Sequence, residues 1–269
     1  MDIPPALRQL VRDAWAEYAS HVETAYVVHR AVPILYFGDR EAYERSTLRV
    51  ITAALNPSRT EFPDGDRFRR FRRAEGVSAH FLDNGQVERY LGGLGAYYRE
   101  EPYRRWFAGL EPILQGMGAS FYPGGNTTAL HTDICTPLAT DPTWSGLSDA
   151  ARAALSEPGR RIWHSLVEYL QPDVILLSVA ERHLASIRFP RAHQPVEIFR
   201  VDRKRPYVVT STTLQLAGGK QSRLVFGRAA TTPFGLISND DKRRLGKIIR
   251  AGVEAGLPSP QSSPAGRGD

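Results

Sequence analysis

Residues 50–55, Val-Ile-Thr-Ala-Ala-Leu, form a near-continuous apolar run that stops abruptly at Asn56-Pro57-Ser58. A run of this length and composition is what an inner parallel strand needs when both of its faces are covered. Pro57 ends the ladder, because it has no N–H to donate and holds Asn56 in an extended conformation. Asn56 and Ser58 are therefore expected at the carboxyl end of a central strand, where open α/β sheets place their ligand crevice. An ordinary Asn-Pro-Ser turn would have the same spelling, so the rest of the chain has to decide between the two.

Other segments repeat the pattern. Residues 172–180, PDVILLSVA, are the clearest inner strand, and residues 119–138 hold a strand ending in the polar stretch HTDICTPL. A last strand is expected over 223–230, a short one over 33–37, and a β-hairpin over 196–214 at the sheet edge. Helices are expected over 4–29, where Leu7, Leu10, Val11, Trp15 and Tyr18 share a face, over 148–170 with a break near Pro158, after His183, and over 238–255. Residues 40–44 read as a polar connection. Residues 87–116 carry helical material that Gly92, Gly93 and Gly95 should interrupt. The alternation of strands and helices predicts one α/β domain over residues 1–256. The Pro-, Gly- and Ser-rich residues 257–269 are expected to form a disordered tail.

Composition narrows the setting. A 269-residue chain that is 42% hydrophobic can bury a large single core. Its only cysteine, Cys135, rules out an internal disulfide and a four-cysteine zinc or iron–sulfur site, and a reducing cytoplasm fits. No run approaches the ~20 apolar residues of a membrane span, so the expectation is a cytoplasmic monomer without a membrane partner. Thirty-five Lys and Arg against 29 Asp and Glu give a net charge of +6, which suits a polyanionic partner without requiring one. Residues 67–73, RFRRFRR, are either a solvated arginine face over buried rings or a phosphate-contacting edge.

The order of strand plus ALNPS, strand plus HTDICTPL, strand PDVILLSVA, and strand plus a loop before the final helix resembles the uracil-DNA glycosylase superfamily, nearest to its mismatch-specific and single-strand-selective branches. The resemblance covers residues 49–251 and rests on short motifs. It implies a three-layer α/β/α fold with a central four-stranded parallel sheet, to which the hairpin would add an edge. It also implies DNA as partner, flipping of the target base into a pocket, and cleavage of the N-glycosidic bond with no metal or cofactor. Asn56 matches the asparagine that orients water in related branches, and Asp133 matches the position that reads the base, with Thr136 standing as an insertion before Pro137. The histidine expected in the final motif is replaced by Arg228-Ala-Ala-Thr-Thr-Pro, so ordinary uracil excision is not implied.

Under this reading Asn56, Glu61 and Arg228 are the candidate catalytic residues: a water-orienting amide, a proton acceptor in the same loop, and a charge stabiliser at the base. Pro57, Ser58, Phe62, His131, Asp133 and Tyr98 are expected to contact the base, Tyr98 or its neighbour Tyr97 by stacking. Arg59, Arg69, Arg70, Lys220, Phe234, Lys242 and Arg243 are expected to contact DNA, with Phe234 or Leu236 able to act as a wedge. Asp133 stands where uracil-specific relatives carry asparagine. An ionised aspartate only accepts hydrogen bonds, which suits the 4-amino group of cytosine and opposes O4 of uracil. Excision of plain cytosine would destroy the host genome, so the expected target is a 5-substituted or glucosylated cytosine of phage DNA, and the expected role antiviral defence. Two alternatives stay open: repair excision of uracil or damaged bases, and a different class altogether. The latter is either a metal-dependent hydrolase using His131 and Asp133, which share one strand face, or a non-catalytic DNA-binding module.

Overall fold

The computed structural model describes residues 3–79, 83–230 and 232–256; the expected tail and Thr231 of the final loop lie outside them. The strands form a six-stranded mixed sheet in the order β2-β1-β3-β6-β5-β4. They are β1 (Val50–Ala54), β2 (Ala129–Asp133), β3 (Val174–Leu177), β4 (Val196–Val201), β5 (Tyr207–Gln215) and β6 (Gln221–Gly227). Neighbours from β2 to β6 run parallel, whereas β5 and β4 are antiparallel additions beyond β6. The expected hairpin joins the sheet at its edge, making six strands in one mixed sheet. Every residue of β1, β2 and β3 is buried. Their Val, Ile and Leu side chains gain about 1.5–3 kcal/mol each by leaving water.

Helices flank the sheet: α1 (Pro5–His21), α2 (Arg40–Arg45), α3 (Asn84–Ala96), α4 (Arg104–Phe107), α5 (Glu111–Gly116), α6 (Asp149–Leu170) and α7 (Asn239–Glu254). Successive residues of β2 point to opposite sides. Thr132 receives a hydrogen bond from the Trp163 indole of α6 at 3.1 Å, while His131 meets the Phe107 ring of α4 with centroids 5.1 Å apart. α6 comes so close to the chain after β2 that a Cβ on Gly159 would sit 2.0 Å from Cys135 O, which explains a glycine inside that helix.

Several elements differ from the sequence expectation. The first helix ends at His21, because residues 22–29 fold into turns and a bridge from Val27 to Thr140. Residues 33–37 contribute only the bridge between Phe37 and His131 rather than a strand, and residues 40–44 are helical, with Asp39 capping Ala42 N. α3 runs through its glycines, because Gly93 lets it pack where a Cβ would lie 2.8 Å from that of Ala74. α6 continues through Pro158, and the segment after β3 is only the 3-10 turn Glu181–Ser186. Among the described residues, no helix is long and apolar enough to cross a membrane.

Candidate active site

The parallel strands β1, β2, β3 and β6 all end on one edge of the sheet, and a cavity of about 420 Å³ opens there. Its floor carries Asn56, Pro57 and Ser58 after β1, His131 and Asp133 of β2, Ser178 after β3, and Ala229 and Ala230 after β6. Phe37, Tyr103, Trp106, Phe107 and Trp144 form aromatic walls, and Glu61, Arg182 and His183 complete the lining. A wider groove of about 1020 Å³, bordered by Arg30, Arg59, Phe62 and Arg70, shares Ser58 and Thr143 with the cavity and so adjoins it.

Register places the acid. Asp133 pairs with Ala54, and Ile134 N and Cys135 N donate to Ala54 O and Leu55 O, both at 2.9 Å, so the ends of β1 and β2 are tied together. Asp133 is buried and its Oδ1 finds no hydrogen-bond partner among the described residues. Burial first, and the nearby Glu61 second, push its carboxyl well above the usual carboxylate range. It is therefore held as the neutral acid, which offers an O–H donor as well as a carbonyl acceptor. His131 stands beside it, Nε2 to Asp133 Oδ1 being 3.9 Å, while its Nδ1 is 2.6 Å from Thr52 Oγ1. Burial pushes this imidazole down to about 3, so it is neutral and forms no ion pair with Asp133.

Glu61 is the second buried carboxyl. It lies in the 3-10 turn Arg59–Glu61, capped by Ser58, whose Oγ accepts from Thr60 N at 3.1 Å. Burial raises it to about 7, against the opposing effects of the Tyr97 hydroxyl and the Arg70 charge. Tyr97 donates its O–H to Glu61 Oε2 at 2.5 Å and accepts the Tyr103 backbone N–H at 2.9 Å. Two carboxyls thus share one poorly solvated cavity with unequal proton affinities, which is how acid and base roles are divided in such sites. Glu61 has a donor and a nearby cation that favour its ionised form; Asp133 has neither, so burial favours its protonated form.

Asn56 is fixed by its own amide nitrogen, which donates to Pro57 O at 2.7 Å, Thr140 Oγ1 at 2.9 Å and Leu138 O at 3.4 Å. Its Oδ1 accepts from no described residue and can hold a water. Ser178 Oγ accepts Phe234 N–H at 2.8 Å and keeps its own proton for a ligand.

Other expected site residues lie elsewhere. Tyr98 is buried in the core, stacked on Phe121 at 4.8 Å, because the turn after α3 aims Tyr97 and not Tyr98 towards Glu61. Phe62 packs on Phe71 and borders the adjoining groove rather than the cavity. Arg228 follows β6 but its exposed side chain is absent from the lining, so it is not placed as a catalytic group. Phe234 cannot be an exposed wedge: it is fully buried, against Gly227. Lys242 is buried and donates to Gly109 O at 2.8 Å and Pro233 O at 3.3 Å, which removes it from any DNA contact. Lys220 pairs with Asp173 before β3, at the opposite edge of the sheet from the cavity.

The arginine cluster is largely neutralised by its neighbours. Arg69 pairs with Asp64 and Glu101, Arg72 with Asp66 and Arg73 with Glu100, while Arg70 donates to Glu101 O. Arg59 pairs with Asp141 at 2.7 Å and Arg243 with Asp240 at 3.0 Å. Among the described residues no three His, Cys, Asp or Glu side chains converge as a metal-binding set. The sequence reading missed Tyr103, Trp106, Phe107, Trp144, Ser178 and Arg182 as lining residues. Only Ser178, a polar residue closing an apolar strand as Asn56 does, carried a usable signal. Compared with known proteins, the chain matches no family model and no curated protein.

Proposed function

We propose that the protein is a DNA glycosylase that hydrolyses the N-glycosidic bond of a flipped-out cytosine-type base, in a fold of the uracil-DNA glycosylase kind with a three-layer arrangement around four parallel strands. The observation that carries this reading is the pairing, in one aromatic-walled cavity at the strand ends, of the unpartnered neutral acid Asp133 with the buried base Glu61. A flipped pyrimidine stacks on aromatic walls and presents its Watson–Crick edge to the floor.

Asp133 suits cytosine in its neutral form. Its carbonyl oxygen accepts from the 4-amino group and its O–H donates to N3, so the departing base gathers its negative charge next to a proton donor. The protonated form replaces the expected ionised aspartate, so repulsion at uracil O4 no longer discriminates: turned over, the same carboxyl would accept uracil N3–H and donate to O4. The preference for cytosine rests instead on the departing base, since cytosine N3 can take the Asp133 proton and uracil N3 already carries one. Ionised Glu61 accepts a proton from the water that Asn56 Oδ1 orients; the water oxygen bonds to C1′ of the sugar while the C1′–N1 bond breaks, its electron pair leaving with the base. Ser178 O–H is available to the base carbonyl at O2.

The cavity of about 420 Å³ lies within the range of sites for drug-sized ligands, more than a bare six-membered base fills. That space supports a 5-substituted or glucosylated cytosine as the target and a role in defence against phage carrying such bases. The experiment is to incubate the full chain with duplexes containing cytosine, uracil, 5-hydroxymethylcytosine or its glucoside, with and without EDTA, and to identify released bases by mass spectrometry. Release of the modified cytosines, unaffected by EDTA and lost in Asp133→Asn, is expected. Release of uracil alone, or of no base from any duplex, refutes the reading.

A further inference from the structure

The cations expected to meet DNA are mostly paired or misplaced, which leaves open where a polyanionic strand would lie. A cluster of uncompensated positive charge sits on the turn between β4 and β5. Arg203, Lys204 and Arg205 are exposed there, and the side chains of Lys204 and Arg205 have no partner among the described residues. The sequence pattern alone puts this hairpin at the sheet edge, but topology puts its turn beside the cavity. β5 runs antiparallel to β6, with Val209 opposite Gly227, so the turn entering β5 emerges where β6 ends. The Tyr207 O–H donates to Arg228 O at 2.9 Å, one residue before the cavity-lining Ala229. Arg203 Nη1 donates to Leu236 O at 2.8 Å, and its guanidinium lies 5.7 Å from the Tyr207 ring, which pins the turn to the loop after β6.

The same rim carries two more exposed arginines, Arg228 and the cavity-lining Arg182, neither with a side-chain partner among the described residues. The exposed acids on these segments are Asp202 and Glu181, so the rim keeps a net positive charge. Resting on the glycosylase reading, we propose that the β4–β5 turn is the element that grips the DNA backbone, Lys204 and Arg205 contacting phosphates on the side of the cavity formed by Ala229 and Ala230. Arg203 serves as the anchor that holds the turn in place. Phosphates recruited there lie next to the crevice, as a strand must when one of its bases is turned into the cavity.

Each phosphate contact adds about 0.9 to the slope of log affinity against log salt. In fluorescence anisotropy of the full chain with a fluorescein-labelled duplex, Lys204→Ala/Arg205→Ala should lower that slope by nearly two. Between ~50 and ~200 mM salt the unaltered protein should then lose about tenfold more affinity than the variant. The control Arg12→Ala/Arg89→Ala removes the same charge from α1 and α3, neither residue lining the cavity, and should leave the slope unchanged. An unchanged slope in the first variant, or an equal fall in the control, overturns the proposal. Base release is followed on the same duplexes. A lowered slope without any base release upholds the gripping turn while refuting the glycosylase; base release with an unaltered slope does the reverse.

Discussion

Tyr97→Phe is the most informative single change, because it deletes one oxygen and tests how Glu61 is set. In the native protein the Tyr97 hydroxyl donates to Glu61 Oε2 at 2.5 Å, which opposes the burial that raises this carboxyl to about 7. A hydrogen bond to a charged group is worth about 1.5–3 kcal/mol, and one pH unit corresponds to about 1.4 kcal/mol. Removing it should move Glu61 ionisation upward by about one to two units. At pH 7 the ionised fraction then drops from roughly a half to between a tenth and a hundredth, and base release falls by about 5- to 50-fold. The loss should be recovered above pH 9. The assay is the pH dependence of single-turnover base release, with Tyr98→Phe alongside. Tyr98 O–H is buried without a partner, so its removal should leave both the profile and the stability nearly unchanged. A rate that falls equally at every pH in Tyr97→Phe, with the acid limb unmoved, would refute the reasoning and reduce Tyr97 to a packing role.

Glu61→Gln should abolish base release yet stabilise the fold at alkaline pH. The glutamate ionises near 4.5 when unfolded and at about 7 when folded, so the folded state holds the extra proton between those values and stability falls as pH rises across them. Denaturant titrations at pH 8 should show a gain of up to about 3 kcal/mol that vanishes at pH 4. Asn56→Ala should cost about 1–3 kcal/mol in melting experiments, because Thr140 and two carbonyls lose their donor, and should reduce base release by more than a hundredfold at matched folding. Near-normal turnover would move the water elsewhere. Lys242→Met should cost about 1–3 kcal/mol through the carbonyls of Gly109 and Pro233 but leave DNA affinity intact, as anisotropy would show. Gly159→Ala should destabilise by about 3 kcal/mol by driving α6 away from Cys135, seen as a lowered denaturation midpoint.

The parallel part of the sheet was legible because burial on both faces forces the unbroken apolar runs of β1 and β3, and a polar residue at the end of such a run has few places to be except the crevice. Asn56, Ser58, His131 and Asp133 meet there for that reason. The walls were not legible. Tyr103, Trp106 and Trp144 reach the cavity from a loop, the one-turn helix α4 and a 3-10 turn, elements too short to show a periodicity that would distinguish them from core aromatics. Charge misled in a particular way: Lys242 and Arg69 look like phosphate ligands in a string of letters, but one is spent on buried carbonyls and the other on Asp64 and Glu101. Neighbouring tyrosines could not be told apart either, since the angle at which the chain leaves α3 decides that Tyr97 meets Glu61 and Tyr98 meets Phe121.

The antiparallel annex separates two kinds of variability. In β1 and β2 a slip of one residue would turn His131 and Asp133 to the far side of the sheet, so the floor of the crevice tolerates no insertion. The β4–β5 turn meets the crevice from outside that register, held by Arg203 and Tyr207 at its base. Its tip can lengthen, shorten or change charge while the strands that build the floor stay aligned. The connection at 216–220 lies at the other end of β5 and β6, out of reach of anything in the cavity. A lineage exploring new targets, or an engineer grafting a recognition loop, therefore has one permissive position beside the chemistry and a second that can serve as a neutral attachment point.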